Sequence, residues 1–212
     1  MSQPINAEMV RTLREQTGAG IMDCKQALTE AGGDFDQARD VLRTKGLASA
    51  EKRKGRATRE GLVDSYIHTG GRIGVLIEVN CETDFVARTD EFKALVHDLA
   101  LQVATLSPRW VSREDVPDSE LEREKAIYRD QVLAEGKGED RLEQIVSGRL
   151  RKFYEAFCLL DQAWLRDEGS KARRVDEVIK ATVAATGENI SVARFIRYQL
   201  GEQLDAGEPD GA

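Results

Sequence analysis

The sequence predicts an α+β protein: an N-terminal three-helix bundle, then a small antiparallel sheet packed with helices. Two observations carry this. The first 46 residues are short amphipathic segments punctuated by glycine, whereas Ile73, Val75, Ile77 and Val79 alternate at period two behind a glycine turn. After that alternation, apolar residues return at helical spacing before a last strand-like run at 190–200.

In the N-terminal unit, Asn6 is a good N-cap and Ile5 can pack on Val10 as a hydrophobic staple. Met9, Val10 and Leu13 form the apolar face of a first helix that stops at Thr17-Gly18-Ala19-Gly20. A second helix runs from about Met22 to Ala31 and ends in Gly32-Gly33. Asp34 caps the third, with Gln37 three residues on. Phe35, Ala38, Val41 and Leu42 are its buried stripe, and Gly46 is expected to end it. So small a core leaves some apolar residues outside. Leu13, Ile21 and Met22, around the glycine turn, are the candidates. The alternative is that Leu13 and Met22 are core and Ile21 alone is partly exposed. Residues 1–50 are assigned to this bundle. A basic linker follows at 51–60, within a stretch from Lys45 to Arg59 carrying six basic residues against the single acid Glu51.

The larger unit, 61–201, opens with a hairpin: Leu62–His68, a turn at Thr69-Gly70-Gly71, then Arg72–Val79. The Gly-Gly-Arg-Ile-Gly run is no phosphate loop, because it lacks the Lys-Ser/Thr ending and lies between strands. Next comes Asn80-Cys81-Glu82-Thr83-Asp84-Phe85-Val86-Ala87-Arg88, where turn and cap residues meet a large aromatic. Phe85 either tucks under the next helix or points outward as a wedge. Helix 91–106 buries Phe92, Leu95, Val96, Leu99 and Val103. Further helices are expected at 118–134, at about 139–160 beyond the Gly136-Lys137-Gly138 break, and at 174–186. Ile190–Leu200 reads as a strand with Ile190, Val192, Ile196, Tyr198 and Leu200 on one face and Arg194 interrupting. It would complete a three-stranded antiparallel sheet. Residues 202–212 read as a disordered acidic tail.

Composition narrows the function. The 212 residues carry a formal net charge of -7 and few aromatics, which argues against a general nucleic-acid binder. No apolar run reaches bilayer length and the N-terminus has no secretory pattern, so a cytoplasmic chain is expected. Cys24, Cys81 and Cys158 are too few and too far apart for a disulfide framework or zinc site. With only His68 and His97 available, no histidine cluster can form. There is no Walker lysine, nucleophile elbow or paired carboxylate set, so an enzyme, a metal site and a cofactor are not expected.

Four runs together resemble the bacterial-type elongation factor Ts family: Leu13–Lys25, Asn80–Arg88, Gly148–Tyr154 and Gly187–Phe195, in the family's order and within residues 4 to about 201. The resemblance implies a ubiquitin-associated-like bundle, a linker and a dimerisation-type α+β domain. It implies guanine nucleotide exchange on elongation factor Tu. Thr83, Asp84, Phe85 and Val86 would intrude near that partner's magnesium, and Leu13, Ile21 and Met22 would grip a helix of its GTPase domain. Ile21 stands where many members carry methionine. Longer members also carry two copies of the core and a helical hairpin insertion, whereas this chain has room for one copy. It resembles the short members, for which a homodimer can supply the missing half, here through the Lys152–Leu160 region or the sheet. The competing readings are a helix- or peptide-binding adaptor needing only residues 1–50, an RNA-binding factor using Lys45–Arg59, and an undetected hydrolase.

Overall fold

In the computed structural model, which describes residues 5–135, 141–169 and 172–202, eight α-helices and three strands are ordered along the chain. Helices α1 (Ala7–Thr17), α2 (Ile21–Glu30) and α3 (Phe35–Arg53) form the bundle. The Asn6 side chain accepts from the Met9 amide and Asp34 from the Gln37 amide, so both caps read from sequence are made. Gly18 ends α1 in the left-handed conformation that glycine adopts without penalty. The bundle core is Val10, Leu13, Cys24, Ala27, Leu28 and Ala38, with Ile5 packed against it.

Gly46 does not end α3. The helix continues through Leu47-Ala48-Ser49-Ala50-Glu51-Lys52-Arg53, strong helix formers for the most part. The missing side chain serves packing instead: a Cβ at Gly46 would lie 3.2 Å from the Ala184 Cβ of α8 (Val175–Thr186), so glycine lets the two helices approach closely. Ala50, one turn on, is buried in the main core.

Strands β1 (Glu60–Ile67), β2 (Ile73–Cys81) and β3 (Ile190–Gln199) form an antiparallel sheet of order β1-β2-β3. On one face Val75, Ile77, Val79 and Cys81 meet the predicted stripe of α5 (Asp90–Leu106), with Phe92, Leu95, Val96, Leu99 and Val103 all buried. Helix α8 adds Val175, Val178, Ile179 and Val183 to this core. At the start of β1, Gly61 has φ 152°, and a Cβ there would fall 2.2 Å from the Val79 carbonyl oxygen. No side chain fits so close a backbone approach.

The β3 face differs from expectation. A register shift opposite Glu78 and Val79 leaves Ala193 unpaired, and one inserted residue reverses the parity of everything after it. Ile190 and Val192 therefore share the core face with Phe195, while Ile196 and Tyr198 project from the opposite face. Arg194 does not interrupt an apolar face; it pairs across the open face with Glu78 at 2.8 Å.

Helices α6 (Asp118–Ala134) and α7 (Leu142–Phe157) form a hairpin whose base buries Val116, Phe153 and Cys158. Helix α7 stops before the predicted Leu160, because residues 158–160 turn to pair with the segment at Trp110. There the Leu159 amide donates to the Trp110 carbonyl at 2.9 Å. The predicted Gly136–Gly138 break and tail residues 203–212 lie outside the described residues.

Candidate functional site

Strand β2 delivers the chain to a single helical turn, α4 (Asp84–Ala87), that sequence reading anticipated only as a turn. Thr83 is its N-cap, and its hydroxyl accepts from the Val86 amide at 3.4 Å. The Cys81 thiol donates to the Thr83 carbonyl at 3.1 Å, holding the approach to the turn. Neighbouring side chains on so short a helix point to different sides. Val86 and Ala87 are buried against the sheet, while Phe85 stands 75% exposed. Of the two placements open to Phe85, the side chain takes the outward one and is not tucked under the next helix. Val86 pins the turn to the core beneath Phe85, and its side chain is not offered to solvent as a contact.

Asp84 pairs with Arg88 at 2.7 Å, both side chains well exposed. Such a surface pair contributes little, so exchanging one partner for another costs little. Among the described residues no cluster of three or more His, Cys, Asp or Glu is placed to hold a metal ion. All three cysteines are buried. Burial pushes the Cys158 thiol up to about 12, and raises Cys24 and Cys81 as well. His97 lies beside Asp64 and the edge of the Tyr66 ring, and His68 shares a hydrogen bond with the Tyr66 hydroxyl.

On the bundle, Ile21 is 57% and Met22 72% exposed at the start of α2, whereas Leu13 is fully buried. The expectation that Leu13 remains outside is corrected. It lies one turn after Val10 on the inward stripe of α1, in the bundle core with Cys24, Ala27 and Leu28. Beside Ile21 a groove of about 640 Å³ has an apolar floor of Ile5 and Val10 and a basic rim of Arg11, Arg14 and Lys25. That rim was missed from sequence, although the spacing of Arg11, Arg14 and Val10 on one helix was there to be read. The α1–α2 turn also lies close to α5 and α8. A Cβ at Gly18 would lie 3.8 Å from the Glu91 Oε1 of α5, which begins just beyond Phe85.

A family model described as Elongation factor TS matches residues 47–202, which include all of the sheet and the turn. The chain is 53% identical over 201 residues to elongation factor Ts of Thermoanaerobacter sp. (strain X514), covering 95% of this chain and 97% of that one. This chain belongs to the elongation factor Ts family. It is also 56% identical over 200 residues to elongation factor Ts of Moorella thermoacetica, with 94% and 97% covered, and 56% identical over 201 residues to that of Anaeromyxobacter sp. (strain Fw109-5), with 95% and 90% covered. At 94% to 95% of this chain these alignments reach into the N-terminal bundle, most of which precedes the residues that the family model matches. The chain as a whole spans nearly the full length of those relatives.

Proposed function

We propose that this chain is a guanine nucleotide exchange factor for the translational GTPase elongation factor Tu, acting by binding and performing no covalent chemistry. The observation that carries the reading is Phe85, a rigid aromatic held away from the protein's own core on a one-turn helix whose neighbours are buried. Bound GDP depends on phosphate contacts, a phosphate loop and magnesium that act as one network, so moving one member weakens the rest. A displacement of about 1 Å at such a site is already expensive. Phe85 enters between partner side chains, and Asp84 competes for their donors by giving up Arg88. Ile21 and Met22, with the groove beside them, anchor the complex on a partner helix. The basic rim fits one bearing acidic residues. The coupling is reciprocal, so incoming GTP loosens the factor.

On this reading residues 1–50 anchor, 51–60 connect, and 61–201 carry the wedge. The work is done in the cytoplasm, where translation takes place; no described helix is long and apolar enough to cross a membrane. The open face of the sheet presents Val63, Ile67, Leu76, Ile196 and Tyr198 to solvent. An apolar face of this kind fits a second copy of the chain, which would supply the half that longer relatives carry in one polypeptide. The exchange reading is tested with substoichiometric chain added to elongation factor Tu·GDP and excess GTP. Each molecule of the chain should drive many exchanges, and one exchange or none would contradict the proposal. Sedimentation equilibrium tests the dimer. A monomer mass at micromolar concentration, unchanged by Leu76→Lys, would refute the sheet-face contact.

A further inference from the structure

The run Gly187-Glu188-Asn189 matches the family but received no role from the sequence, and it lies directly against the wedge turn. Glu188 follows Gly187, the left-handed residue that ends α8, and reaches back across 105 residues of chain. Both of its carboxylate oxygens are engaged by one residue. Oε2 accepts from the Thr83 amide at 3.0 Å and Oε1 from the Thr83 hydroxyl at 2.6 Å. The clasp is reciprocal, because Glu82 Oε1 accepts from the Asn189 amide at 2.7 Å. Thr83 has one hydroxyl hydrogen. Committing it to Glu188 turns the oxygen lone pairs toward the Val86 amide, the bond that caps α4.

A single helical turn has no stability of its own, since nucleation fixes several dihedrals for one hydrogen bond. The orientation of α4 is therefore set from outside, by Val86 and Ala87 beneath it and by whatever holds its N-cap. Phe85 contributes little, being mostly exposed. We infer that Glu188 is a positioning residue for the exchange reaction, clamping Thr83 so that Phe85 meets a nucleotide-binding partner as a rigid wedge; this rests on the reading of Phe85 as that wedge. Removing the clamp leaves the bundle and its groove untouched. The loss therefore falls on the rate of nucleotide release inside the complex, and binding is spared.

The test is a double-mutant cycle on the full chain, read by release of fluorescent GDP from elongation factor Tu at increasing concentrations of each variant. Glu188→Ala should lower the plateau rate about fivefold, the scale of one or two lost charge-assisted hydrogen bonds at a partly exposed site, with little change in the half-saturating concentration. Glu188→Gln should recover only part of it, because its amide oxygen can still accept from the Thr83 amide while its NH2 cannot take the hydroxyl hydrogen. The Phe85→Ala/Glu188→Ala double variant should be no slower than Phe85→Ala alone. Additive losses, or an unchanged plateau in Glu188→Ala beside a slowed Phe85→Ala, would overturn the clamp while leaving the wedge standing. A Phe85→Ala variant that exchanges normally overturns the wedge reading itself, and the clamp with it. Amide hydrogen exchange supplies a readout independent of the partner. Val86 and Ala87 should lose protection in Glu188→Ala while α5 keeps its own, and unchanged protection at both positions also overturns the inference.

Discussion

On the proposed reading, replacing Phe85 by alanine removes the contact that displaces nucleotide and almost nothing else. Full burial of a phenylalanine side chain is worth about 1.5–3 kcal/mol relative to leaving it exposed. Three quarters of this residue is free in the chain alone. About 1–2 kcal/mol therefore remains to be gained against a partner, and under about 1 kcal/mol is already used in the fold. If that contact is made while nucleotide is being displaced, its loss slows GDP release within the complex by about fivefold to thirtyfold. The free chain's thermal midpoint should move by only a few degrees at most. The assay is the plateau rate of fluorescent GDP release at saturating Phe85→Ala, beside the concentration giving half that rate. A lowered plateau with an unchanged half-saturating concentration is expected. An unchanged plateau with a raised half-saturating concentration would make Phe85 an ordinary anchor and refute the wedge.

If the bundle anchors the complex as proposed, Ile21→Ser/Met22→Ser should raise the half-saturating concentration about tenfold or more and leave the plateau in place, as titration of the exchange rate would show. Gly61→Ala forces a side chain onto the Val79 carbonyl; a loss of about 3 kcal/mol, or roughly 10 °C in thermal midpoint by circular dichroism, is expected. Asp167 is held down to about 2 from an ordinary 3.8 by hydrogen bonds from the Arg173 side chain, opposed by burial and helped by the Arg173 amide. A depressed carboxylate stabilises the fold above its unfolded pKa, and that contribution is lost as pH falls from about 4 to about 2. Asp167→Asn should therefore narrow its stability gap to the parent across that window, measured by urea midpoints; a constant gap would contradict the assignment.

Local chemistry was legible wherever it was self-contained. The caps at Asn6 and Asp34, the glycine stop at Gly18, the alternation through β2 and the stripe on α5 each arise from residues within a few positions of one another. The departures all have distant causes. Gly46 resembles a stop in sequence because Ala184, the residue it meets, lies far along the chain, and only α8 reveals that the small residue makes room. The parity of β3 reversed at Ala193, since a bulge is decided by how two strands pair and leaves no composition of its own. At the site, Thr83, Asp84 and Phe85 stand out because cap residues beside a large aromatic conflict with an ordinary loop. Val86 and Leu13 could not be separated from exposed neighbours until packing assigned their sides. Glu188 was visible only as part of a matching run, because its partner, Thr83, lies on another element.

On the proposed function, this chain opens a GTPase's nucleotide site by binding to it. Stopped-flow release of fluorescent GDP from purified elongation factor Tu, against increasing concentrations of this chain, addresses it most directly. The account predicts a release rate that rises with concentration and saturates at a plateau set by the complex. A rate that stays at the spontaneous value, with both proteins folded and from one organism, would contradict it.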